Sequence, residues 1–152
     1  MLALSSKVGY ALSALFELAG AEKDVPTQIR IISKRHSIPQ HYLEQVLVVL
    51  KQHGFVKSVR GAAGGYLLAC KPSDIRVLDV ITCLEGPPKL VQKERSGDPL
   101  YEYWRRCENE LKTIFSDTLQ DLIQKLPAPT ESEATGETAE SQQGGQPHTT
   151  SF

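Results

Sequence analysis

Apolar residues recur at three- and four-residue spacing at Val8, Ala11, Leu12, Leu15, Phe16, Leu18 and Ala19, behind Ser5 and Ser6 as N-caps. This spacing predicts an amphipathic helix ending near Gly20. Thr27 is expected to cap a short helix that carries Ile29, Ile31 and Ile32 and runs out at His36 and Ser37. Pro39 suits the first turn of a third helix, which puts Leu43, Val46, Leu47 and Leu50 on one face and closes at Gly54. Three helices with a tight turn between the last two make a helix-turn-helix pattern. Directly after it, Phe55–Val59 alternates as a strand, Gly61, Gly64 and Gly65 lie in a flexible tip, and Tyr66–Cys70 returns as a second strand. The order and lengths predict a mainly α fold with a small β-hairpin, a winged helix-turn-helix.

Ser73–Glu85 reads as a further helix with Val77, Leu78, Val80, Ile81 and Leu84 on its buried side, stopped by Gly86-Pro87-Pro88. After a loop from Lys89 to Pro99, a long last helix is expected over about Leu100–Leu126, with Trp104, Cys107, Leu111, Ile114, Thr118, Leu122 and Leu126 in one stripe. Two burials are open to that stripe, its own domain or a second copy of the chain. The second is favoured because the winged helix already encloses a core of its own. The expected organisation is a DNA-binding domain over 1–88, a linker and dimerisation helix over 89–126, and a disordered tail over 127–152. The tail is almost wholly Pro, Thr, Ser, Glu, Gln and Gly, a composition that cannot bury enough surface to fold.

The formal net charge of −1 conceals an uneven distribution. Residues 1–71 hold nine Lys and Arg against four Asp and Glu, while 91–152 hold six against eleven. A basic half suits a polyanionic partner. No stretch approaches the roughly 20 apolar residues that a membrane span needs, and the N-terminus lacks a leader pattern. Three scattered cysteines, Cys70, Cys83 and Cys107, fit a reducing compartment, so a cytoplasmic location is expected.

A recognition helix offers its N-terminal turns to the major groove, which makes Gln40, His41, Tyr42 and Gln45 the base-reading candidates, with Pro39 beside them among the DNA-binding positions. Gln pairs bidentately with adenine; Glu44 accepts from cytosine or repels phosphate and so restricts sequence. Arg60 stands at the wing tip beside Gly61, where Arg commonly enters the minor groove, and Gly61, Gly64 and Gly65 let the backbone come close to DNA. Lys57, Lys34, Arg35, Ser6, Lys7 and Tyr10 are phosphate-contact candidates.

The stretches LSSKVGYAL at Leu4–Leu12, YLEQVL at Tyr42–Leu47, SVRGAAGGYLL at Ser58–Leu68 and VITCLEGP at Val80–Pro87 carry a resemblance to a known family. Over roughly 1–126 the chain resembles the Rrf-type family of bacterial winged-helix transcription regulators, those of the IscR, NsrR and CymR type. The resemblance implies a homodimer crossed through long C-terminal helices, binding a partly palindromic operator in double-stranded DNA, more often as a repressor. It gives Tyr42, Gln45 and Arg60 DNA-reading roles. Cluster-binding members carry three cysteines in the loop before the dimer helix, and in some a histidine follows. Here the segment between Glu85 and Trp104 has neither residue type; aligned on Trp104, Asp98 stands at the last cysteine and Tyr101 at the histidine. No cofactor or metal is therefore expected, and in particular no iron–sulfur cluster on that loop. Cys70, Cys83 and Cys107 are read first as small buried apolar residues; for Cys83 and Cys107, which flank the loop, a direct redox or metal role stays open.

A second reading from another class is a winged-helix protein-docking module that does not bind DNA. An enzyme is the third: His36, His41, His53 and His148 lie away from Cys or paired carboxylates at ligand spacing. The GAAGG run opens a strand and not a helix, so it cradles no phosphate, and no catalytic residue is expected.

Overall fold

The computed structural model describes residues 4–90 and 97–127; the expected tail, apart from Pro127, and the middle of the linker loop lie outside the described residues. Helix α1 spans Ser6–Gly20, α2 Ile29–Arg35 and α3 Gln40–Gln52. Leu15, Ile32, Leu43, Leu47 and Leu50 are fully buried between them and form the centre of the core. The turn from α2 to α3 is closed by two hydrogen bonds. The Ile38 amide donates to Ser33 O at 3.0 Å, and the Ser33 hydroxyl donates to Ile38 O at 2.7 Å. Ser37 takes a left-handed φ of +51° to make that turn.

Gly54 ends α3 as expected, at a φ of +77°. Its amide donates to Lys51 O, and the next amide, of Phe55, donates to Leu50 O, so the last carbonyls of the helix are satisfied in a Schellman arrangement. Strands β1 (Val56–Val59) and β2 (Gly65–Leu68) pair antiparallel, Val56 opposite Leu68 and Val59 opposite Gly65. Thr27 is not the cap of α2. Its amide and carbonyl exchange 2.9 Å hydrogen bonds with Tyr66, which adds a short third segment to the hairpin edge, and Gln28 stands at the start of α2 with no side-chain cap.

The helix expected over Ser73–Glu85 is a 3₁₀ turn at Pro72–Asp74, two extended residues, and α4 over Val77–Glu85. The long last helix is likewise two, α5 over Pro99–Ile114 and α6 over Leu119–Lys125. A helix leaves its first amides without partners inside itself. Those of Val77 and Leu78 in α4 are taken by Asp117 O at 2.9 Å and Phe115 O at 3.0 Å, while the Leu119 amide returns to Ile75 O at 2.8 Å. A capping box then opens α6. The Asp121 carboxylate accepts from the Thr118 amide and hydroxyl, both at 2.7 Å, and the Asp121 amide donates to Thr118 Oγ1.

The break corrects the expected dimer stripe. Thr118 caps α6, Leu119 is buried in the main core, and Leu122 packs with Val8, Val77 and Ile81, all inside one chain. Helix α5 is different, for none of its residues is buried. Leu100, Tyr103, Trp104 and Ile114 are exposed along it, with Cys107 and Leu111 half-buried.

Leu119→Ala should cost about 2–5 kcal/mol of stability, the range for truncating a buried leucine, measured by urea unfolding; a cost below about 1 kcal/mol would mean that α6 does not dock. Thr118 holds the Asp121 carboxyl below its ordinary value of 3.8. A depressed carboxyl stabilises the fold above the ordinary range and loses that contribution as pH falls through its folded value. Asp121→Asn should therefore flatten the acid limb of the stability profile.

Candidate nucleic-acid interface

The buried positions of α3 are Leu43, Val46, Leu47 and Leu50, so the period of the helix turns His41, Glu44, Gln45, Val48 and Gln52 outward, and all five are exposed. Pro39 is the residue before the first turn; its carbonyl accepts from the Tyr42 and Leu43 amides. The Gln40 side-chain amide donates to Glu44 Oε1 at 3.1 Å, which occupies part of both groups one turn apart. The His41 and Tyr42 rings lie 4.1 Å apart at a 40° tilt, and Tyr42 is 48% exposed despite its size.

The wing is tied to the helices at two places. Lys51 Nζ donates to Ser58 Oγ at 2.7 Å, linking the end of α3 to β1. The Thr27–Tyr66 pair fastens β2 to the segment that leads into α2. Gly65 makes that pairing possible, since a Cβ there would overlap Thr27 O, and a Cβ at Gly64 would overlap Val59 O. Backbone packing therefore requires both glycines, Gly64 within the hairpin and Gly65 against the Thr27 segment. Gly61 alone of the three has a left-handed φ, +116°. Beside it Arg60 is exposed, as is Lys57 on β1.

Ser6 and Lys7 are exposed in the first turn of α1; Tyr10 is half-buried against the core. Lys34 is exposed at the end of α2. Arg35 also serves the fold, because its guanidinium bonds the carboxylate of Glu17, which is buried on α1, and His36 Nε2 lies 3.2 Å from the other Glu17 oxygen. Half of the Arg35 side chain stays exposed. Glu17 and Lys51 were missed in the sequence. The signal for Glu17 was its phase, an acid in register with the apolar face at Ala14, Leu15 and Leu18.

The chain belongs to the Rrf2 family. That family, described as an iron-dependent transcriptional regulator, matches residues 4–126. The chain is 38% identical over 121 residues to the transcriptional regulator CymR of Bacillus subtilis, covering 78% of this chain and 88% of the relative. It is 39% identical over 128 residues to the regulator IscR of Photorhabdus laumondii, covering 79% of this chain and 78% of that one. The solved structure of CymR, the global cysteine regulator of B. subtilis, superposes with a TM-score of 0.76 at 37% identity, covering 84% of this chain and all of the other. The protein is a winged-helix transcription regulator, with α3 as its recognition helix and β1–β2 as its wing.

The family description names iron, which thiol, imidazole or carboxylate side chains would have to hold. Asp98 is the N-cap of α5, its side chain accepting from the Leu100 amide at 2.9 Å. Cys83 packs against the core and donates to Val80 O at 3.1 Å. Burial raises the thiol pKa of both Cys70 and Cys83, with Asp74 and Asp79 adding to it and a backbone hydrogen bond partly offsetting it at Cys83. Cys107 is the hydrogen-bond partner of Tyr103 one turn away, and this bond is the main cause that raises the phenol. Among the described residues no three metal-ligating side chains converge.

Raised thiols are poor nucleophiles at neutral pH, because the thiolate is the reactive form. Cys70 and Cys83 should be alkylated slowly by iodoacetamide at neutral pH, with the rate climbing as pH passes above the ordinary value of 9.0. Peptide mass analysis over a pH series would read it, and fast labelling of either thiol at neutral pH would contradict the assignment.

Proposed function

We propose that the protein acts as a cytoplasmic homodimeric repressor that binds a partly palindromic operator, with α5 of two copies forming the seam and no enzymatic activity. The observation that carries this is α5 itself: it has 16 residues, none of them buried, yet Leu100, Trp104, Cys107, Leu111 and Ile114 repeat at spacings of four and three. That is the seam period of two packed helices, and within one chain no residue of α5 is buried. Two recognition helices held by such a seam read half-sites one helical turn, about 34–36 Å, apart. The exposed outward face of α3 and the free tip at Arg60 support DNA as the ligand over a docked protein.

We propose further that the protein functions without an iron–sulfur cluster. Cluster iron needs thiolates converging on one point, and the loop segment between Glu85 and Trp104 has no Cys or His.

Three outcomes are expected. Arg60→Ala should weaken operator binding by about 1–3 kcal/mol at fixed salt, and binding to duplex DNA should fall steeply with salt, as counterion release requires and docking to a protein does not. Replacing Leu111 and Ile114 by Glu should give monomers in light scattering and abolish operator binding; a monomeric wild type at micromolar concentration would sink the dimer. Anaerobic purification from iron-replete cells should give protein without stoichiometric iron and sulfide, and a cluster lost in Cys83→Ser or Cys107→Ser would overturn that proposal.

A further inference from the structure

Val48 is half-exposed, at 50%, on the outward face of α3. Among the exposed residues of that helix it is the aliphatic one; the others are Gln40, His41, Tyr42, Glu44, Gln45, Lys51 and Gln52. A β-branched side chain loses rotamer freedom in a helix, and at this position it fills no core and makes no hydrogen bond. Its place on the helix is specific. His41, Glu44, Gln45 and Val48 follow at i, i+3, i+4 and i+7, the spacing of the four base-reading positions on the recognition helix of a homeodomain. Seven residues advance about 10 Å along the axis, roughly three base-pair steps, so the four side chains cover successive bases.

Only one base edge in the major groove is apolar, the 5-methyl group of thymine. We propose that Val48 is a specificity-determining residue whose isopropyl group packs on a thymine methyl in each half-site. The polar groups at His41, Glu44 and Gln45 take the neighbouring base edges. The inference rests on the DNA-binding reading above and deepens it. Val48 decides the base at the far end of that face, one turn beyond the Gln40–Glu44 hydrogen bond.

The test selects operators with the full-length protein from two random duplex libraries, one containing thymine and one containing deoxyuridine in its place. Wild type should enrich a thymine at a fixed position of each half-site in the first library, and lose that preference alone in the second. On a consensus duplex followed by fluorescence anisotropy, exchanging that thymine for deoxyuridine should weaken wild-type binding by roughly threefold to fivefold per half-site, the worth of one buried methyl-sized group. Val48→Ala should bind the thymine duplex more weakly by a similar factor and show no further loss on the exchange. The exposed position makes this variant fold as wild type does, which circular dichroism checks. An equal loss in wild type and Val48→Ala, or a consensus without a required thymine, overturns the role of Val48 while leaving DNA binding intact. Enrichment of nothing in either library overturns both.

Discussion

The amides of Val77 and Leu78 open α4, and a helix cannot satisfy its own first donors. The chain meets that demand from a distance: the carbonyls of Asp117 and Phe115 accept them, and Ile75 O takes the Leu119 amide in return. Most of the molecule's organisation follows from this backbone exchange. It ends α5 at Ile114, turns the chain back and directs α6 into the core beside Leu119. It also fixes where α5 leaves the DNA-binding domain, and so the direction in which any partner joined along α5 must lie.

A second set of ties holds the DNA-facing parts to one another. Glu17 on α1 binds both Arg35 and His36, so the residues that end α2 and lead into the Ser37 turn are anchored to the first helix. The wing is held at both strands, through Lys51–Ser58 on β1 and Thr27–Tyr66 on β2. Recognition demands that helix and hairpin keep one geometry, since displacement of either loses contacts that the other has already placed. An ion pair whose carboxylate is buried is a strong tie of this kind, because removing one partner leaves a charge without solvent or counter-charge.

The thiols of Cys70 and Cys83 are set by burial and by nearby acids. Ligation favours the thiolate, and burial beside Asp74 or Asp79 disfavours it at Cys70 and Cys83. Asp98 is a helix cap, its carboxylate taken by the Leu100 amide. The proposal that this member of a family described as iron-dependent works without a cluster rests on these placements.

The pattern of apolar residues by itself determined α1, α2, α3, the hairpin and the Gly54 stop, because each is a local matter of period, cap or turn. It also marked the outward face of α3 and the position of Arg60. Tertiary structure decided what depends on a distant backbone group. Thr27 looked like a cap, yet its amide and carbonyl had a stronger use in Tyr66, which lies far along the chain. The stripe from Trp104 to Leu122 keeps one helical period throughout, so nothing in its apolar spacing marks the break. The T-x-x-D of Thr118 and Asp121 was a local signal for a new helix start, but it outweighs continued helix only because α4 needs the carbonyls that the break releases. Sequence sets what each segment prefers, and the unmet hydrogen bonds of its neighbours decide which preference is realised.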